Sequence, residues 1–216
     1  MEAVVMGFAA DEASRQAGYR RSAGSPRGEA RRRELLDRVT EDVALNGLVD
    51  FSLRRAARAA GTTHKVLLYH FDGVEDLLRQ VVFRLRERRI ENAMAAAREA
   101  SGQATLAARI RAVWSTLVEE ESRLRRVLDQ AIGLAMYDPD RHSDLAREAS
   151  RQYLPVLESL CPEHWPDRRR REVSQMILAT LRGFLLERLT TGDTEGAAAG
   201  FEALIRMLER EEAAAG

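Results

Sequence analysis

From residue 25 onward the apolar residues of this chain recur at three- and four-residue spacing, and no stretch alternates with period two. That regularity excludes a half-buried sheet and predicts a protein built of amphipathic helices alone. The punctuation between stretches is just as consistent. Ser25-Pro26 is an N-cap followed by proline at the first helical position, and Leu35, Leu36, Val39 and Val43 then form one stripe that stops at Asn46-Gly47. A short helix over 53–60 follows Ser52 and ends at Gly61; another follows Thr62-Thr63 and reaches Phe71. Asp72-Gly73-Val74-Glu75 has the form of a capping box, and the long helix it opens carries Val74, Leu77, Leu78, Val81, Val82 and Leu85 on one face.

Beyond Ser101-Gly102 the helical period continues over 106–118, 124–136, 145–160, 167–190 and 195–212. Pro155 lacks a backbone donor, so a bend is expected in the third of these. Tyr137-Asp138-Pro139-Asp140 reads as a helix stop, and 161–166 as a connector. The expected fold is all-α with about nine helices. Its expected parts are a mobile tail over 1–24, a three-helix domain over 25–73 and a larger helical domain over 74–216.

Several function classes drop out. No run of about 18 apolar residues exists, so no membrane span is expected. The stretch 1–8 has Glu2 in place of a basic segment and is too short for a signal peptide, so a cytoplasmic protein is expected. The single cysteine, Cys161, cannot form an internal disulfide, and no Cys/His cluster has zinc spacing. The four histidines (His64, His70, His142 and His164) are scattered, with no nucleophile–base pair and no glycine-rich phosphate loop, so neither an enzyme nor a cofactor is expected. The formal net charge is zero, yet residues 1–90 carry 17 Lys+Arg against 13 Asp+Glu. This excess of four permits nucleic-acid binding without arguing for it. Of the 34 basic residues only Lys65 is a lysine.

The informative segment is 52–71, SLRRAARAAGTTHKVLLYHF. Two short helices joined by a glycine-containing turn make a helix-turn-helix, whose second helix enters a DNA major groove. Ala56, Ala57, Ala59 and Ala60 let the first helix approach its neighbours, while Leu67 and Phe71 anchor the second. The expected DNA-facing residues are Ser52, Arg54, Thr63, His64, Lys65, Leu68, Tyr69 and His70, with Arg55 and Arg58 flanking the groove. Lysine suits guanine O6/N7 or phosphate, and tyrosine and histidine suit phosphate. A small helical hairpin with a solvated charged face has the same spacing. Arg15, Arg20, Arg21, Arg27 and Arg31-Arg32-Arg33 suit either a minor-groove arm or a solvated charge run.

Residues 52–77 resemble the DNA-binding domain of the TetR family of repressors. The resemblance rests on Ser52, Ala56-Ala57, Ala60-Gly61, Thr63, Tyr69-His70-Phe71 and Glu75-Asp76-Leu77, and with the preceding helix it covers 35–77. Leu68 and Val74 stand where that family usually has a tyrosine and a lysine. Leu68 suits contact with a thymine methyl instead. The resemblance implies an inverted-repeat operator, a homodimer through the last two helices and a small-molecule effector. The implied pocket candidates are Trp114, Met136, Tyr153, Thr180 and Phe184, each of which core packing would also explain. A dimeric DNA-binding protein with a filled core and no ligand sensing stays open beside the ligand-released repressor. The stripes Val173, Ile177, Leu181, Phe184, Leu185 and Phe201, Leu204, Ile205, Leu208 are the expected dimer surface.

Overall fold

The structure is a computed structural model that describes residues 25–99, 105–120 and 122–214. The expected tail over 1–24 lies outside them. Among the described residues there are nine helices and no strand: α1 (Pro26–Asn46), α2 (Leu53–Ala59), α3 (His64–His70), α4 (Val74–Glu99), α5 (Leu106–Glu119), α6 (Ser122–Tyr137), α7 (Pro139–Leu160), α8 (Asp167–Thr190) and α9 (Thr194–Ala213). The chain divides into two compact units, Met1–Val81 and Val82–Gly216, with the division inside α4 rather than at its start. Among the described residues no helix is long and apolar enough to cross a membrane.

In the first unit the local signals set the helix ends. The Ser25 hydroxyl accepts from Gly28 N at 3.1 Å, Pro26 opens α1, and Gly47 closes it at φ +74°, a left-handed position that an L side chain resists. Leu35, Leu36, Val39 and Val43 of α1 are buried with Ala56, Ala57, Ala60, Leu67, Phe71 and Leu77. The cap of α4 differs from the expected capping box. Gly73 (φ +96°) directly precedes the helix, and the Asp76 carboxylate, rather than Glu75, accepts from the Asp72 N–H at 3.1 Å. The N3 position therefore falls one residue later than the sequence pattern suggests.

In the second unit α6 packs on α7, α7 on α8, α8 on α9, and α9 returns to α5. The Glu212 carboxylate near the end of α9 accepts from the N–H groups of Leu106 and Ala107, placing negative charge on donors at the start of α5. Helix α7 begins six residues before the expected position. Asp138 both follows α6 and caps α7 by accepting from Arg141 N at 3.3 Å, with Pro139 at the first helical position. Asp-Pro is here a start as well as a stop, in the manner of Ser25-Pro26. Helix α7 is continuous through Pro155.

Helices α8 and α9 approach closely at Gly200, where an added Cβ would lie 2.5 Å from the Phe184 ring. Phe184 is itself held edge-on to Trp114, so the ring has little room to yield. Gly200→Ala is therefore expected to destabilise the protein by about 1–3 kcal/mol through overpacking, despite alanine's better helix propensity. Urea denaturation measures the balance; a stabilised variant would show that the ring moves freely.

Candidate functional site

The turn between α2 and α3 is built from its backbone outward. Gly61 takes φ +61° and its N–H reaches Arg58 O at 3.1 Å, while Thr62 N donates to Ala57 O at 2.9 Å. The Arg38 guanidinium donates to Ala60 O at 3.2 Å and occupies the space beside Gly61. Thr63 then caps α3, its hydroxyl accepting from Val66 N at 3.4 Å. Leu67 and Phe71 point into the core. The remaining positions follow from the helical period: His64 and Lys65 are exposed, Leu68 is 50 % exposed, and Tyr69 and His70 are half-buried.

Arginines from α1 and α2 hold this arrangement in place. Arg32 Nε donates to His70 O at 3.1 Å, its Nη2 donates to Gln80 Oε1 at 2.6 Å, and its guanidinium lies 5.0 Å from the Phe71 ring centroid. One side chain thus ties the end of α3 to α1 and α4. Arg55, expected beside the groove, is largely buried instead: it pairs with Asp42 at 2.8 Å and donates to Gly47 O and Val49 O. Its guanidinium closes the α1–α2 connection, leaving Arg54 and Arg58 as the exposed arginines of α2. Burial, with the nearby Arg31 and Arg32 charges, holds the His70 imidazole below its usual pKa, and the His70 Nδ1 has no hydrogen-bond partner among the described residues. A neutral His70 has one N–H to donate.

The second unit encloses a cavity with about 80 Å³ open to the centres of water molecules, several times what one water needs. Ala93, Val113, Leu117, Leu128, Ile132 and Leu157 contribute to its apolar wall. Arg86, Arg89, Asp129, Tyr153 and Arg182 supply the polar part. Among the described residues no group of three or more His, Cys, Asp or Glu could hold a metal ion.

No family model matches the chain, and no curated protein matches it. Solved structures do. SCO7518 of Streptomyces coelicolor A3(2), assigned as a transcriptional regulator, superposes with a TM-score of 0.64 at 24% identity, covering 82% of this chain and 98% of that one. A TetR-family transcriptional regulator from Cytophaga hutchinsonii gives a TM-score of 0.63 at 16% identity over 82% of this chain and 92% of its own. The multidrug binding protein EbrR, complexed with proflavin, gives 0.64 at 19% identity over 82% and 98%. The chain has the TetR-regulator fold.

Within that fold the sequence-predicted residues separate into two groups. Ser52, which accepts from Arg55 N at 3.3 Å, and Thr63 are both exposed caps, and Arg54, His64, Lys65 and Leu68 are exposed on the same two helices. Of the five pocket candidates, only Tyr153 lines the cavity. Trp114 stacks on Phe201 at 4.8 Å, with Phe184 edge-on at 6.1 Å, so both belong to the α5–α8–α9 core. Thr180 is half-buried on α8 away from the cavity wall, and Met136 is 80 % exposed. Met136 follows the buried Ala135 by one residue, a turn of about 100° out of the core.

Arg86, Arg89, Asp129 and Arg182 went unnoticed in the sequence. A signal for the first two existed: four residues on from Val82 and Leu85, the apolar stripe of α4 lands on arginines. The stripes expected to form a dimer surface are also reassigned. Val173, Ile177, Leu181, Leu185, Phe201, Leu204, Ile205 and Leu208 are buried within the single chain. They cover α5 and one another, because two antiparallel amphipathic helices first bury their apolar faces in their own unit.

Proposed function

We propose that this chain is a DNA-binding transcriptional regulator, a repressor whose hold on an inverted-repeat operator is released by a small molecule in the cavity of the second unit. The observation that carries this reading is the outer row of α3. His64, Lys65 and Leu68 are exposed behind the Thr63 cap, on a helix fixed from behind by Leu67 and Phe71. A donor at the first turn and an apolar tip one turn later suit a guanine edge and a thymine methyl in a major groove. The fold shared with transcriptional regulators supports the same reading. The cavity, with its unpaired polar atoms, favours sensing over a filled core.

A homodimer through α8 and α9 belongs to this proposal, since an inverted repeat presents half-sites about 34–36 Å apart to two reading heads. Leu186 (51 % exposed) and Met207 (49 %) are the large apolar side chains those helices leave outside, and they support that face.

The test is selection of duplexes from a random pool by the full chain, followed by titration of Lys65→Ala. The variant is expected to lose about 1–3 kcal/mol of binding and to relax preference at one base pair per half-site. An even loss across all sequences, with a salt slope flatter by about 0.9 per contact, would make Lys65 a phosphate contact instead. Unchanged affinity would take Lys65 out of the interface. Failure to enrich any sequence would overturn the regulator reading itself.

A further inference from the structure

The cavity of the second unit has a pronounced charge imbalance. Arg86 is 2 % exposed, yet its only hydrogen bond among the described residues is from Nη2 to the Leu145 carbonyl at 2.6 Å, with no ion pair. Arg182 lies 5.5 Å from the Tyr153 ring centroid, and its Nη2 is buried without a hydrogen-bond partner; the buried Tyr153 hydroxyl lies beside Arg89 and donates its proton to no described residue. Arg89 is neutralised from behind by Glu120, which accepts from Nε and Nη2 at 2.9 and 2.5 Å. That leaves Asp129 as the carboxylate on the wall, with Oδ2 buried and unpartnered. With Asp129 ionised and Arg89 paired, the groups lining the wall sum to one positive charge; off the wall, Glu148 acts on Arg86 and Arg125 acts on Asp129, one charge of each sign.

Burial acts on these groups as an unpaired set would feel it. It pulls the Arg86 guanidinium down to about 10 and lowers Arg182, and it raises the Asp129 carboxyl. Donors left this way are costly unless something completes them, and the cost is largest for charged groups. A bound anion would complete them. The rest of the wall is hydrocarbon, with Val113, Leu117, Leu128, Ile132, Val156 and Leu157 among its members.

We infer that this cavity takes a monoanionic amphiphile, with a carboxylate head held by Arg86, Arg182 and the Tyr153 hydroxyl and an apolar body of a few to several carbons along the leucine, isoleucine and valine wall. The inference rests on reading the second unit as a ligand-sensing unit and adds the class of ligand it senses. The guanidinium is the donor for such a head, because its planar fork matches both carboxylate oxygens. The same charges disfavour a cation, so the preference is opposite in sign to the binding of a cationic dye such as proflavin, found in EbrR.

The test is calorimetric titration of the full chain, without DNA, with octanoate, 1-octanol and octylammonium, which share a tail and differ in head charge. Octanoate is expected to bind, octanol about tenfold more weakly, and octylammonium not at all, since a hydrogen bond to a charged partner is worth roughly one power of ten or more. Two variants should move the octanoate-to-octanol affinity ratio in opposite directions. Arg182→Met should lower it about tenfold by removing a donor, and Asp129→Asn should raise it several-fold, roughly, by removing a like charge. Equal binding of octanoate and octanol, tighter binding of octylammonium, no binding of any of the three, or variants that leave the ratio fixed would each overturn the inference. The same octanoate is then added to a selected duplex complex. Duplex binding without octanoate binding overturns the acid site and leaves the DNA reading standing. Octanoate binding by a chain that selects no duplex supports the acid site and overturns the regulator reading.

Discussion

Ile205→Asp is expected to abolish cooperative folding of the second unit instead of yielding a folded monomer. Ile205 is 0 % exposed in the single chain and belongs to the cluster containing Ile177, Leu181 and Leu208. Truncating a buried isoleucine costs about 2–5 kcal/mol, and an uncompensated carboxylate in the same place costs several more. Net stabilities of about 5–15 kcal/mol leave little after such a loss. Thermal melting by circular dichroism reads the outcome, with Leu186→Asp and Met207→Asp as companions on exposed positions of the same helices. Those two should remain folded, and sedimentation of them tests the dimer face. A folded Ile205→Asp protein that melts like the parent would show that the α8–α9 core is not what stabilises the unit.

The second large effect lies at the back of the cavity. Glu120→Ala is expected to destabilise the protein by about 3–5 kcal/mol, because it strands the Arg89 guanidinium in the interior. Both side chains of the pair are 9 % exposed, and the geometry is that of a fork on one carboxylate. The double change Arg89→Met with Glu120→Leu removes both charges and should recover most of the loss, since a buried pair is often no better than well-packed hydrocarbon. Urea unfolding of the three proteins separates the cases. If Glu120→Ala proves as mild as a surface substitution, water reaches Arg89 and the cavity is wetter than its walls imply.

Much of the first unit was legible because its determinants are local. Ser25-Pro26, Gly47, Ser52, Gly61 and Thr63 each act within a few residues, through a hydroxyl acceptor, a fixed φ or a left-handed turn, and each stands where the pattern placed it. In both units the reach of the sequence was limited where two readings share one signal. Asp138-Pro139 is a stop for one helix and a start for the next, and the acid that reaches back at α4 is Asp76 because Gly73, not Asp72, sits before the helix. Arg55 carries the same charge as Arg54 and Arg58, and the Asp42 carboxylate thirteen residues earlier, with the Gly47 and Val49 carbonyls, holds it inward.

The sequence by itself determined that the described residues are helical, where most of their helices begin and end, and that His64, Lys65 and Leu68 of α3 stand exposed. These follow from spacing, caps and the 3.6-residue period, which need no knowledge of the rest of the molecule. Tertiary structure alone decided the cavity and the fate of the last two helices. Arg86, Asp129 and Arg182 lie on α4, α6 and α8, far apart along the chain; the apolar stripe of α4 marks Arg86 as inward-facing but not what it meets, and Asp129 and Arg182 taken singly read as solvated surface charges. Likewise the apolar stripes of α8 and α9 could have faced a second copy, but packing against α5 and each other buries them first. Periodicity says that a face must be covered; only the packing of the other helices says by what.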